Sequence, residues 1–407
     1  MGLFKRKKKK AEVESTSKNV NYEKLQSILV YNNNYIDVVH NACKLCYKVK
    51  HEETFEDKCH YIGKRIKHGH ESILEHSNII MQIYLPDGLL NELVEVLNYT
   101  RYLNVYTDTE FGNGMISVIL SGSIRGFKHI IRMIKNRDNL VYNKILEEMY
   151  VLDQCVFEDL INDGLMDELK FKNYENETTP IAKDSDLFNI ENIDDIEKIK
   201  KLVHIEDEYD LLDMCTLTIK FTKVSRTCSH QLVRHRAGIT QMSQRYVDST
   251  GARFISPDEF KNMPNDKEYN IQLTEDSKIT GSLYTLGTYI NDTFYPQLKS
   301  QGLVKEDARA FLANNTETQL YMTFTFRGFI KFLELRTSAG AQAEIKYLAN
   351  ELAKEFYELM KDKMNIFKDC TEDNYLESLL TYADPYYKYI ENKLYTEESF
   401  TEVIEEN

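Results

Sequence analysis

Apolar positions along this chain recur at two spacings. Val38 to Lys48 and Phe55 to His68 carry them at helical intervals, and Gly69 closes the second run. Ile79 to Leu85 is continuously apolar and β-branched, and Pro86-Asp87-Gly88 ends it in a turn, so it reads as a strand. Leu89 to Leu103 returns to helical spacing, Asp108 to Gly114 reads as a loop, Ile116 to Leu120 as a short strand, and Phe127 to Met133 as a helix. Asp138 to about Asp210 is acidic and weakly patterned, with Phe171 to Ile199 as its most mobile part. Thr216 to Thr222 then alternates cleanly, placing Leu217, Ile219 and Phe221 on one face of a half-buried strand. Ser225 to Arg236, Ser282 to Gln297 and Glu306 to Asn314 read as helices, and two long helices fit Thr318 to Arg336 and Ala341 to Lys361. The fold class is α+β with helices dominating the C-terminal half. No internal repeat is evident in the sequence.

Composition is that of a globular protein, 42% hydrophobic and 29% charged over 407 residues. No apolar run reaches the roughly 18 residues needed to span a bilayer. The first ten residues, MGLFKRKKKK, lack the apolar segment of a secretory signal, and residues 1–20 read as a disordered basic tail. The expected compartment is the cytoplasm. Seven scattered cysteines fit free thiols in a reducing environment, and the lone Cys43-x-x-Cys46 has no second pair to complete a zinc site. No metal is expected.

Net charge is −14, so the chain as a whole repels polyanions and nucleic acid is not the expected partner. One local exception changes the picture. From Arg226 to Val247 there is no Asp or Glu, while Arg226, Arg234, Arg236 and Arg245 fall within it. Such a stretch in an acidic protein is a candidate anion site. On a helix, Gln231, Arg234 and His235 share a face, whereas Arg234 and Arg236 stand about 200° apart and would serve different anions. Further on, Ser243 and Arg245 would point the same way in an extended segment and hold one phosphate. Arg327 and Arg336 are nine apart, on opposite sides of a helix.

Arg234-His235-Arg236 followed by Ser243-x-Arg245-Tyr246 resembles the motif of the flavin-dependent thymidylate synthases. The spacer is six residues where that family has seven. His68-Gly69-His70-Glu71-Ser72 with Glu75-His76 is similar to a second element of the family. Ala308-Arg309-Ala310-Phe311-Leu312 is similar to a third, and Phe326 to Gly340 to a fourth, with Thr325 where the family has Asn. The resemblance covers roughly 20–85 and 205–365. It implies a mixed or antiparallel sheet packed with long helices, in one catalytic domain over 21–407. That domain would be interrupted by an insert at about 86–210, looping out between the strands Ile79 to Leu85 and Thr216 to Thr222.

The activity so implied is reductive methylation of dUMP to dTMP. FAD is the cofactor, and NADPH and methylenetetrahydrofolate are co-substrates. Implied dUMP contacts are Gln231, Arg234, Ser243, Arg245, Arg309 and Arg336. Implied FAD contacts are His70, Ser72, Arg234, His235, Arg236, Gln241, Arg327 and Cys46. Arg336 would stabilise charge on the uracil carbonyl, with His235 beside it as the other catalytic candidate. A homotetramer with shared sites is expected. The rival readings are a non-catalytic flavin- or nucleotide-binding paralogue and a nucleic-acid-binding protein acting through the basic tail. No cysteine is expected to act as nucleophile, because none sits in the Pro-Cys-Gln setting of the thiol-using synthases.

Overall fold

In the computed structural model, the residues described are 25–32, 34–47, 54–172, 187–203, 210–260 and 267–360. The basic tail lies outside them. The chain opens with strand β1 (Gln26–Asn32), helices α1 (Tyr35–Tyr47) and α2 (Phe55–Lys67), and a helical turn over Glu71–His76. Thr54 caps α2 through a reciprocal pair with Asp57, its hydroxyl accepting from the Asp57 N–H while the Asp57 carboxylate accepts from the Thr54 N–H. Strand β2 (Ile79–Pro86) and helix α3 (Leu90–Leu97) follow, then β3 (Asn104–Gly112), β4 (Met115–Gly122) and helices α4 (Ile124–Met133), α5 (Leu140–Met149) and α6 (Glu158–Asn162). The antiparallel order is β1-β2-β4-β3.

A second sheet is built from β5 (Phe188–Ile193), β6 (Thr216–Ser225), β7 (Gly238–Gln241) and β10 (Glu317–Thr325), in the antiparallel order β5-β6-β10-β7. Helices α7 (Ile196–Leu202), α8 (Leu211–Met214) and α9 (Arg226–Leu232) lie among its first strands. A hairpin of β8 (Glu268–Thr274) and β9 (Ser277–Ser282) leads to α10 (Leu283–Tyr289), α11 (Tyr295–Ser300) and α12 (Lys305–Ala308). After β10 come α13 (Phe326–Thr337) and α14 (Ala343–Met360). No described helix is long and apolar enough to cross a membrane.

Asp108 to Gly114, expected as a loop, instead forms the end of β3 and its turn into β4, and three larger expectations change here. First, 86–210 does not loop out. It supplies β3 and β4 to the first sheet and β5 to the second, and Val118, Phe127, Ile145, Phe157 and Leu160 are fully buried in the first core. Second, part of the stretch expected to be most mobile is edge strand β5, with Phe188 and Ile190 in the second core. Third, Thr318 to Arg336 is not one helix. Residues through Thr325 form the central strand β10, paired on both sides, and the helix begins where the Thr325 hydroxyl accepts from the Gly328 N–H at 3.1 Å.

Two cores result. One packs the first sheet on α1, α2, α4 and α5; the other packs the second sheet on α7, α9, α13 and α14. They touch. Ile80 and Ile119, from β2 and β4, belong to the second core. His76 sits fully buried at that junction, one ring nitrogen bonded to Thr323 Oγ1 at 2.8 Å and the other to Thr240 Oγ1 at 2.9 Å.

Candidate functional site

Ser225 starts α9. Its hydroxyl accepts from the Cys228 N–H at 2.9 Å, and its own N–H donates to Glu344 of α14 at 2.7 Å, which anchors the helix to the C-terminal core. The helix stops at Leu232. The Arg234 N–H reaches back to the Gln231 carbonyl at 3.3 Å and the His235 N–H to Leu232 at 3.1 Å, so Arg234, His235 and Arg236 occupy a tight turn and not a helix. Gly238 then enters β7 flush against the first half of the chain: a Cβ there would stand 2.4 Å from the Glu75 carbonyl oxygen.

The turn changes where the arginines point. Helical spacing separates Arg234 and Arg236, yet both line one cavity of about 730 Å³. Arg327 and Lys331 of α13 face the same space, as do Asp213 at the end of α8 and Asn104 of β3. Asp213 accepts from Arg327 Nε at 2.8 Å, and Asp210 lies 3.8 Å from the same guanidinium. Asn104 Nδ2 donates to the Asp213 carbonyl at 3.0 Å. Arg234 and Arg236 are exposed and, among the described residues, carry no ion-pair or side-chain hydrogen-bond partner. Two unpaired guanidinium groups beside a third that is fixed suit a phosphate or pyrophosphate.

A second cluster lies behind the turn. Arg336 Nε donates to His235 Nε2 at 2.8 Å, and its terminal nitrogen approaches the Gln231 carbonyl at 3.4 Å. The His235 ring meets Phe332 edge-on with centroids 5.0 Å apart. Burial, reinforced by the Arg336 charge, lowers the His235 pKa from 6.5 to about 4. The Gln231 side chain donates to Gln342. Gln231, His235 and Arg336 are thus brought together, away from Arg327, in keeping with the nine-residue spacing.

A third cluster gathers Arg245, Arg309 and Arg226. Arg245 Nε and the Arg309 Nε converge on Glu306, the first on its carboxylate and the second on its carbonyl, each at 3.0 Å. Arg226 is half-buried beside Arg309, and burial together with that neighbouring charge lowers its pKa. The expected extended geometry of Ser243 and Arg245 is not present. The Tyr246 and Val247 N–H groups fold back on the Ser243 carbonyl at 3.2 and 2.9 Å, and the Ser243 hydroxyl accepts from the Arg245 N–H at 3.3 Å, which makes a turn. Residues two apart share a side in this way only when the backbone is extended.

The remaining candidates lie elsewhere. His70 and Ser72 are exposed on the helical turn before β2. Cys46 Sγ donates to the Gln241 carbonyl at 3.5 Å, and the Gln241 side chain donates to Ser229 Oγ at 2.8 Å. None of these four lines the cavity of Arg234 and Arg327. Sequence reasoning missed Asp213, Asn104 and Lys331, which come from distant elements. It saw Arg226 within the acid-free stretch without assigning it to the site.

In this α+β protein, guanidinium groups turned into a cleft between two antiparallel sheets form a candidate site for an anion of nucleotide scale. The chain belongs to the thymidylate synthase complementing protein family, whose sequence model matches residues 27–168 and again 168–360. Proteins named flavin-dependent thymidylate synthase in Mycobacterium tuberculosis and Mycobacterium marinum are 31% identical to it over 161 residues, 38% of this chain and 63% of theirs. The one from Mycolicibacterium gilvum is 31% identical over 158 residues, 36% of this chain and 61% of its own. The chain thus spans less than two thirds of the length of these relatives.

Proposed function

We propose that this protein is a transferase that converts dUMP to dTMP by reductive methylation, with FAD as cofactor and methylenetetrahydrofolate and NADPH as co-substrates. The observation that carries the reading is the pair of unpaired guanidinium groups, Arg234 and Arg236, opening with Arg327 onto one cavity. Those residues fit the charge of a dinucleotide pyrophosphate, so Arg234, Arg236 and Arg327 would hold the flavin, with His70, Ser72, Cys46 and Gln241 as further contacts. Gln231 and Arg336, already side by side, would hold the uracil, and Arg309, Arg245 and Ser243 the nucleotide phosphate. Bound flavin would supply the hydride that no side chain can give.

The protein's share is orientation and charge. Arg336 would offer its guanidinium to negative charge growing on the uracil carbonyl. His235 takes a different part from general base through Nε2, since that nitrogen already accepts from Arg336. It holds Arg336 in position. Arg245 would have to exchange its Glu306 partner for phosphate, an exchange open to an exposed pair of low intrinsic worth. The family resemblance also supports a cytoplasmic homotetramer.

The deciding experiment supplies purified protein with FAD, NADPH, methylenetetrahydrofolate and C5-tritiated dUMP. Flavin absorption on the protein and tritium release to water are expected. Flavin and dUMP binding without tritium release would make it a non-catalytic flavoprotein instead.

A further inference from the structure

The contacts around β4 and α4 recur around β10 and α13. In β4 and α4 the sequence Ser123-Ile124-Arg125-Gly126-Phe127 occupies the strand end and first helical turn; in β10 and α13 Thr325-Phe326-Arg327-Gly328-Phe329 does. Matching Ser123 to Thr325 fixes every other position through strand register. Ser121 pairs with Ile80 and Asn104, and Thr323 pairs with Thr218 and Gly238, so Ile80 corresponds to Thr218 and Asn104 to Gly238. Counting back along β2 and β6, Glu75 corresponds to Asp213 and Ser77 to Cys215.

The correspondence predicts contacts that were not used to make it. Arg125 is ion-paired to Glu75, as Arg327 is to Asp213. The corresponding residues also meet, through different acceptors: the Ile124 N–H donates to the Ser77 hydroxyl at 2.8 Å, and the Phe326 N–H to the Cys215 carbonyl at 2.9 Å. Both sheets have the order first-second-fourth-third strand. The cross-contacts are reciprocal too: Asn104 of the first set binds the Asp213 carbonyl, and its counterpart Gly238 packs on the Glu75 carbonyl. A contact of i with j, matched by j's counterpart with i's, is the mark of a two-fold interface. The family match over 27–168 and again over 168–360 agrees with this division.

The two copies differ where the cavity lies. In the first, Thr100, Arg101 and Tyr102 stand in the places of Arg234, His235 and Arg236. The Tyr102 ring lies edge-on to His129 with centroids 5.0 Å apart, and His129 replaces Lys331. Leu103, replacing Ala237, presses on Gly126, where a Cβ would stand 2.5 Å from Leu103 Cδ2. At Gly328, beyond its own cap Thr325, the nearest atom to such a Cβ is the Arg236 carbonyl oxygen at 3.8 Å. Arg336 becomes buried Ile134.

We infer that the chain is two copies of one folding unit facing each other across an approximate two-fold, and that only the second copy's cavity binds ligand. One phosphate-bearing ligand is held per chain, with Asn104 reaching it from the first copy. The first copy has become a scaffold, its own cleft closed where Leu103 presses on Gly126. The inference rests on the flavin reading only for its first probe.

Equilibrium titration of the full chain with FAD tests it. One FAD per chain is expected. Arg236→Ala should weaken binding roughly tenfold or more, the scale of a lost charged hydrogen bond. Arg101→Ala, at the first copy's equivalent of His235, should leave count and affinity unchanged. Asn104→Ala should weaken the one site roughly tenfold without changing the count, with partial recovery in Asn104→Gln. Two FAD per chain, or loss of binding in Arg101→Ala, would overturn the proposal, and unchanged affinity in Asn104→Ala would remove that residue from the site. If FAD does not bind, the flavin reading falls, and inorganic pyrophosphate then counts the sites: one, lost in Arg236→Ala, sustains the inference. Two pyrophosphates, or none, would sink it.

Discussion

Arg336 donates from Nε to Nε2 of His235 across 2.8 Å, which requires that nitrogen to carry no proton. The proton of the neutral ring is therefore on Nδ1, and a second proton on Nε2 would face a guanidinium. Burial, with that neighbouring charge adding to it, holds the ring neutral down to about pH 4. The His235 signal in an NMR titration should move near pH 4, and in Arg336→Met its midpoint should rise part of the way, burial still holding it below 6.5. A wild-type midpoint at 6.5 would contradict the arrangement.

His76 supplies a pH dependence of stability. Burial lowers its pKa from 6.5 to about 3. Below 6.5 the unfolded chain binds a proton that the folded chain does not, so stability is complete above 6.5 and is lost as pH falls through that window. The slope is about 1.4 kcal/mol per pH unit from this residue. Urea midpoints measured between pH 7 and pH 4.5 should fall less steeply in His76→Gln than in the wild type. Parallel profiles would show that His76 is not responsible.

Arg327 and Arg336 leave α13 on different sides, toward Asp213 and toward His235. Arg327→Ala should weaken FAD by roughly tenfold to a hundredfold and spare dUMP, while Arg336→Ala should do the reverse. Calorimetric titration of each ligand decides it; a dUMP defect in Arg327→Ala with FAD retained would reverse the assignment.

Cys228 has Arg226 and His230 nearby in sequence, yet it is fully buried, and burial raises its thiol well above the usual range, with Glu344 adding to the effect. Cys228→Ala should keep tritium release, and mass spectrometry of the wild type should find no dUMP adduct. Abolished turnover with folding and both ligands retained would require a thiol mechanism.

The sequence carried much of this, but unevenly. The β2 and β6 strands and α1, α2 and α14 were legible because each shows one clear period or one continuous apolar run. Strand β10 was not, because it is central and buried on both faces, so alternation is masked and Thr318 to Arg336 looks helical. The β3–β4 hairpin did leave a signal. Asn113 and Gly114, both at positive φ, join Gly112 to Met115 in a two-residue turn, and Asn-Gly is the strongest short hairpin signal. The arginines could be found in sequence because their chemistry announces them. Their partners could not: Asp213 stands 114 residues before Arg327, and Asn104 precedes Asp213 by 109. Folding alone brings them together.

The sharing of Ile80 and Ile119 between the two cores sets how the molecule comes apart. Neither sheet can shed its partner without exposing side chains that are at most 2% accessible in the intact fold. Opening one half therefore strips apolar cover from the other, and heating should produce one calorimetric peak, not two staggered ones. A chain laid out as two sheets in series thus melts as one body.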